Sequence, residues 1–409
     1  MSQLNYIDLF AGAGGLSEGF IRKGFHPVAH VEMNKEATDT LKTRLAFHHL
    51  SEKKKLSQYY AYLKKEISRE DLWKMIAEHL MQSVINDEIT NKAKKKIFSQ
   101  IDEHLDSKKV DVIIGGPPCQ AYSIAGRSRD PDRMKGDKRN YLFRYYAEFL
   151  RRYKPKIFVF ENVLGLITAG NNRYLQQMLK LFQELGYTAE FNVLNAADFG
   201  VLQKRERVII IGKKGNRKFP YPEFESQANG WKTKKDLFSD LPVIKAGENA
   251  DGKTYTKPAT EYLKQHNIRN DDSILTFHVA RPINEIDREI YSIALNKLFH
   301  ENKPLLYKEL PSRLQTHSNK ISFQNRFKVI NPYGYSHTVV AHISNDGHYY
   351  IYPDLNNIRS ISVREAARIQ SFPDNYFFEG SRTAAFKQIG NAVPPLMAES
   401  IAGKIKLLL

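Results

Sequence analysis

Apolar residues in this 409-residue chain gather in short blocks set between longer amphipathic stretches. The first blocks are Asn5-Tyr-Ile-Asp-Leu-Phe10 and Pro27 to Val31. Val110 to Ile114, Ile157-Phe-Val-Phe160, Thr188 to Leu194 and Val208-Ile-Ile-Ile211 follow. Short continuous apolar runs of this kind suit strands buried on both faces. Helical spacing fills the gaps. A helix is expected from about Leu142 to Tyr153. Leu72, Ile76 and Leu80, and again Ile97, Ile101 and Leu105, recur three to four residues apart within the lysine-rich stretch 48–109. That stretch reads as two or three amphipathic helices inserted after the second strand. Its charges nearly balance, so a solvated excursion without chemistry is expected. Strands alternating with helices predict an α/β fold, a mostly parallel sheet with helices on both faces.

The punctuation between these blocks carries the chemistry. After the first strand, glycines at 12, 14 and 15 let the backbone turn closely past a ligand before a helix opens with its positive end there. Ser17 stands where the dinucleotide fingerprint needs its third glycine, which disfavours a nicotinamide cofactor. The second strand ends in Glu32, about twenty residues on, where a carboxylate can accept bonds from ribose hydroxyls. Turn and acid together indicate a nucleoside cofactor.

The third block breaks on Gly115-Gly-Pro-Pro118, which cannot continue a ladder, and so delivers Cys119 into a loop at the strand's carboxyl end. A lone cysteine is ordinarily a small buried hydrophobe. This one follows two prolines and precedes a polar, arginine-rich loop, a poor place to bury anything, and it reads as a nucleophile. The next strand ends in Glu161. A convergent site is expected where parallel strands bring cysteine and glutamate to one edge. Arg205 and Arg207 alternate in Gln203-Lys-Arg-Glu-Arg207 and are expected on one face of a strand.

Composition narrows the class. The length allows a large α/β domain plus a smaller one. No apolar run approaches a membrane span, and Met-Ser-Gln-Leu-Asn is not expected to begin a signal peptide. A single cysteine excludes an intramolecular disulfide and a cysteine-cluster metal site, so no metal is expected, and a reducing, cytoplasmic setting follows. The net charge of +17 is unevenly placed. Residues 121–160 hold eleven Lys/Arg against four Asp/Glu, and residues 201–220 hold seven against one. Concentrated basic charge points to a polyanion, most simply nucleic acid.

Six motifs stand in the order of the cytosine-5 DNA methyltransferase family, which the chain resembles. They are Phe10-Ala-Gly-Ala-Gly-Gly, Gly116-Pro-Pro-Cys-Gln, Glu161-Asn-Val, Gln203-Lys-Arg-Glu-Arg, Arg364-Glu-Ala-Ala-Arg-Ile-Gln-Ser-Phe-Pro373 and Gln388-Ile-Gly-Asn-Ala-Val-Pro-Pro395. The resemblance spans the chain apart from residues 48–109 and roughly 226–345, and it is to bacterial or phage modification enzymes of the restriction–modification type. It implies a Rossmann-like S-adenosylmethionine domain over 1–225 and 376–409, with a target-recognition domain and hinge over 226–375. It implies a sequence-specific double-stranded DNA substrate, a monomer, and protection of host DNA from a cognate endonuclease.

Residue by residue, the resemblance makes Cys119 the thiolate that adds to cytosine C6, beside Pro118 and Gln120. Glu161 serves N3 and Arg207 serves O2, with Arg205 supporting. The base must leave the duplex, under a lid formed by the loop from Gln120 to about Arg139. Phe10, Gly12, Gly14, Leu16, Glu32, Met33, Leu142, Asn391 and Val393 are expected around the cofactor. For the family's aspartate-plus-hydrophobe the best match is Glu66-Ile67, a departure from the pattern. DNA contacts are expected from Ser123, Arg127 and Gln203, and base reading from Arg313, Gln315, Asn319 and Arg326, whose side-chain types pair with purine edges. An RNA cytosine methyltransferase of similar architecture is the alternative substrate class, and the long polar variable region argues against it. A non-catalytic DNA-binding relative would have lost the cysteine, glutamate or arginine, and all three are present.

If the two basic stretches face phosphates, DNA affinity will fall steeply with salt, in proportion to the phosphates neutralised. Binding measured from low to moderate ionic strength checks this, and a flat profile would remove the basic face from the interface.

Overall fold

A computed structural model of the chain describes residues 3–118, 142–270 and 273–409. Its centre is a seven-stranded sheet ordered β3-β2-β1-β4-β5-β7-β6. The strands are β1 Leu4–Leu9, β2 Phe25–Glu32, β3 Val84–Asn86, β4 Val112–Gly115, β5 Ile157–Val163, β6 Tyr187–Asn195 and β7 Glu206–Lys214. Neighbours from β3 to β5 are parallel, and β7 runs antiparallel to both β5 and β6. The sequence-derived α/β expectation holds, with an antiparallel pair at one edge.

Side-chain alternation along the strands builds two cores. Ile7, Leu9, Ile113, Phe158 and Phe160 face one way and pack on α6 (Lys94–Leu105), α7 (Leu142–Tyr153) and α9 (Arg173–Glu184). Tyr6, Val112, Ile114, Ile157 and Val159 face the other and pack on α1 (Gly15–Arg22) and α14 (Pro395–Leu408). The last helix therefore lies on the first. Gly15 is required at that join: a Cβ there would stand 2.2 Å from the Val393 carbonyl oxygen.

The insertion departs from its expected form. α2 begins earlier, at Lys35, and runs to Glu52. The Leu72–Leu80 period is split between α4 (Arg69–Lys74) and α5 (Glu78–Gln82), after α3 (Leu56–Leu63). β3 then adds to the sheet beside β2, which three residues were too short to signal by periodicity. α8 (Gly165–Thr168) is a single turn after β5.

Residues 226–375 contain the long α11 (Glu285–Glu301), the short helices α10 (Glu261–Gln265) and α12 (Val363–Ile369) and much irregular chain, with α13 (Arg382–Asn391) following. Such chain needs side-chain partners for its polar groups, and buried arginines provide them. Arg368, with no exposed surface, reaches Asp240 and Asp374 at 2.6 Å each. Arg269 adds a second contact to Asp240 at 2.6 Å, and Arg364 lies 3.6 Å from Asp374. Burial alone would raise the Asp374 pKa, but Arg368 and Arg364 override it and hold the carboxyl below its ordinary value.

Arg368→Met will destabilise the fold by about 3 kcal/mol, because Asp374 is left buried with only a distant cation. The Asp374 contribution is fully present above the ordinary aspartate pKa and is lost as pH falls through its lowered value. Denaturant titrations at neutral and acid pH will therefore converge for wild type and variant as the pH drops. Equal stability at neutral pH would mean that Arg269 and Arg364 suffice.

Candidate active site

The parallel register aligns the carboxyl ends of β2, β1, β4 and β5, since Leu9 pairs with both Val31 and Gly115, and Gly115 with Phe160. Each strand then releases one functional group at that edge. β5 releases Glu161, and β7 returns antiparallel so that Arg207 stands opposite Val163. Arg207 Nε donates to Glu161 Oε1 at 2.7 Å, with both side chains largely shielded. β4 runs into Gly116-Pro117-Pro118. A Cβ on Gly116 would fall 2.5 Å from Glu161 Oε2, so only glycine lets the turn pass under this carboxylate. Asn162, the next residue, is buried and orients its amide towards the Pro117 carbonyl.

On the other side of β1, the Gly-rich turn and Glu32 interlock. Glu32 Oε2 accepts from Gly12 N at 2.9 Å and Oε1 from Asn34 N at 2.8 Å. The space above Gly12 is open, and Met33 beside it is 59% exposed. Phe10 adopts φ +56°, a conformation rare outside glycine, directly at the strand end. α1 opens after Gly14, and its first-turn N–H groups have no acceptor within the helix. Leu142 begins α7, Asn391 ends α13 at the surface, and Val393 is buried with its carbonyl over Gly15. Leu16 turns its side chain into the core, so only its backbone belongs to the turn.

The other expected site residues are distributed as follows. Glu66 and Ile67 lie in the turn between α3 and α4, and Ile67 packs among Ala46, Leu50, Tyr59 and Leu63. The strand that reaches Glu32 is β3: Asn86 pairs with Glu32 and donates to the Glu32 and Met33 carbonyls, and Asp87 N donates to Glu32 O. Asp87 is a second acid near this edge, signalled only by the polar run after Val84-Ile-Asn86; its carboxylate meets Lys96 at 2.9 Å and accepts from Glu88 N at 2.9 Å. Sequence reading also passed over Asp8. Its carboxyl is buried in β1, and burial and then Glu32 push its pKa well above the ordinary value.

Gln203 has no exposed surface. Its amide donates to Gln370 Oε1 and the Ile369 carbonyl and accepts from Val339 N, so this side chain is not available to DNA. Arg205 precedes β7 and is fully buried, donating to the carbonyls of Val339, Gly390 and Ala392. These bonds tie its side chain to the fold. Pro118 is exposed at the end of its turn. Cys119, Gln120, Ser123 and Arg127, with the expected lid, lie outside the described residues. Arg313 forms a two-point pair with Glu289, and Gln315 donates to the Leu310 carbonyl. Asn319 and Arg326 bond the backbone of their own loop.

A model of C-5 cytosine-specific DNA methylases matches residues 4–71 and 61–407. The chain belongs to this family. It is a DNA (cytosine-5-)-methyltransferase that depends on S-adenosylmethionine. A type II methyltransferase of Bacillus paralicheniformis, M.Bpa9945I, is 43% identical over 98% of both chains. M.DdeI of Desulfomicrobium norvegicum is 32% identical over 98% of this chain and 88% of its own. Among solved structures, an E. coli prophage-encoded protein described as a DNA modification methyltransferase superposes with a TM-score of 0.63 at 23% identity, covering 99% of both chains. The Schizosaccharomyces pombe Dnmt2 methyltransferase gives 0.52 at 13% identity, over 100% of this chain and 99% of that one. These two agree in fold.

The family's cofactor fits the edge beside β1. Open space above Gly12, an exposed apolar Met33 and a carboxylate at the end of β2 suit an adenosyl group. Among the described residues, no group of His, Cys, Asp and Glu could hold a metal ion, and no helix is long and apolar enough to cross a membrane.

Glu32→Ala will weaken S-adenosylmethionine binding by about 1.5–3 kcal/mol, the loss of a charged acceptor for hydroxyl donors. Asp87→Ala will weaken it less, and Glu66→Ala not at all. Calorimetry on the three variants checks this order, and a loss at Glu66 would restore the position read from sequence.

Proposed function

We propose that this protein modifies one cytosine in a specific double-stranded DNA sequence, as the methylating partner of a type II restriction system. Glu161–Arg207 carries the reading: an ion pair stands under the Gly116-Pro-Pro118 turn that leads to Cys119. Its named relatives, M.Bpa9945I and M.DdeI, are type II methyltransferases, which supports the restriction–modification setting. Cytosine C5 is a poor nucleophile. The Cys119 thiolate adds to C6, and the ring electrons shift so that C5 becomes enamine-like. Glu161, in its protonated form, holds N3 and supplies the proton it takes up. Arg207 orients that carboxylate, contacts O2 and favours the ionised thiol. The bound cofactor supplies an electrophilic methyl group. After C5 is methylated, a base removes the C5 proton, the C6–sulfur bond breaks to return the thiolate, and N3 gives its proton back to Glu161. A stacked base exposes neither face, so the cytosine is flipped out.

Phe10, Gly12, Gly14, Glu32, Met33, Leu142, Asn391 and Val393 hold the cofactor in this reading, with Asp87 in place of Glu66 and Ile67. The catalytic unit comprises 1–225 and 376–409, and residues 226–375 select the target. The protein acts as a cytoplasmic monomer, a setting supported by its bacterial relatives.

DNA carrying 5-fluorocytosine at the target tests the mechanism, because fluorine blocks the final elimination. Wild type will give a denaturation-resistant complex linked through Cys119. Cys119→Ser will give none, since its hydroxyl is scarcely ionised at neutral pH. Glu161→Gln will methylate orders of magnitude more slowly while still forming some adduct. Undiminished methylation by the serine variant would overturn this mechanism.

A further inference from the structure

Residues 303–328 carry six Lys/Arg and one Glu, a strongly basic stretch within the segment assigned above to target selection. Its polar side chains, the obvious base readers, are largely occupied. Asn319 Oδ1 accepts from Ile321 N at 3.1 Å and Ser322 N at 2.8 Å. Arg326 Nη2 donates to the Asn319 and Ser322 carbonyls at 2.7 and 2.8 Å, and its Nε to the Phe323 carbonyl at 3.1 Å. Gln324 Nε2 donates to the carbonyls of Lys320 and Ile321. The loop is anchored below, where Tyr307 N donates to the Gln324 carbonyl at 2.7 Å and the Arg326 guanidinium stacks 3.9 Å over the Tyr307 ring. Asparagine, glutamine and arginine thus brace a fixed loop.

What that loop holds outward is apolar. Ile321 is 89% exposed and Phe323 is 63% exposed. Phe323 also adopts φ +56°, which costs an aromatic residue about 1 kcal/mol or more. Packing does not repay this strain, because the ring lies mostly in solvent. Single exposed apolar residues are common, but two of them, two positions apart on a braced, strained and basic loop, form a projecting probe.

We propose that Ile321 and Phe323 enter the DNA at the recognition sequence and contact its bases, Phe323 by laying its ring against base faces. The basic residues around them fit the phosphates on either side, and the partner is the DNA on which the family acts. The proposal rests on residues 226–375 being the target-selecting segment. It moves base contact within this loop from the polar side chains to the apolar tip.

The test uses full-length wild type, Phe323→Asn and Ile321→Ala on plasmid DNA, with 5-methylcytosine mapped by sequencing. Asparagine tolerates the left-handed backbone, so the loop survives while the ring is lost. Thermal stability and S-adenosylmethionine affinity will match wild type, because neither side chain packs in the core. Methylation at the wild-type sequence will fall about tenfold or more, the effect of one lost base stack. Residual methylation will spread to sequences differing by one base pair. An unchanged rate and site distribution would overturn the proposal, as would a uniform loss of DNA affinity with an unchanged distribution, the mark of a phosphate contact. Absence of methylation by wild type would reject the proposal together with the activity it rests on.

Discussion

Arg205 ties the molecule together. A guanidinium with no exposed surface loses its hydration and must recover it from the protein. It does so from the carbonyls of Val339, Gly390 and Ala392, which lie in two stretches far from it in sequence. Gln203, two residues earlier, closes the same knot through Val339, Ile369 and Gln370. The irregular segment, the last motif and the start of β7 are thereby fixed to one another. Arg207, two residues further on, inherits that position and meets Glu161 across the antiparallel ladder. Ala392 lies next to Val393, whose carbonyl covers Gly15, so the same knot also sets one wall of the glycine-rich turn.

The irregular half of the chain obeys the same constraint. Apart from α11 its regular elements are short, so much of its backbone polar surface depends on side chains. Arg359 pairs with Glu365, Arg368 bridges Asp240 and Asp374, and Arg364 reaches the Thr276 and Pro373 carbonyls. Arginine suits this work because its planar fork serves several acceptors at once. Much of the motif Arg364 to Pro373, distinctive as it is in sequence, is therefore internal scaffolding. The Asn319–Arg326 loop repeats the pattern on a smaller scale, which is why residue types suited to reading bases turn inward there.

The sequence alone determined the sheet-and-helix alternation, the strand ends that carry Glu32 and Glu161, and the order of motifs that identifies the family. These are local properties: apolar runs make buried strands, and glycine and proline end them wherever they stand. Helix Leu142–Tyr153 and strand Ile157–Val163 were legible almost to the residue. Only the tertiary structure decided which polar side chains face a ligand and which are consumed inside. Gln203 reads as a DNA contact and Arg205 as a support of the catalytic group because their chemistry suits those tasks, yet both side chains are buried and bonded to distant carbonyls. Asp87 gave little signal in the sequence because β3 is too short to leave a period, and only pairing with β2 brings it to the edge. A side chain's hydrogen-bonding capacity is written in its type. For Gln203 and Arg205, whether that capacity is already spent depends on groups more than a hundred residues away, and the fold alone brings them within reach.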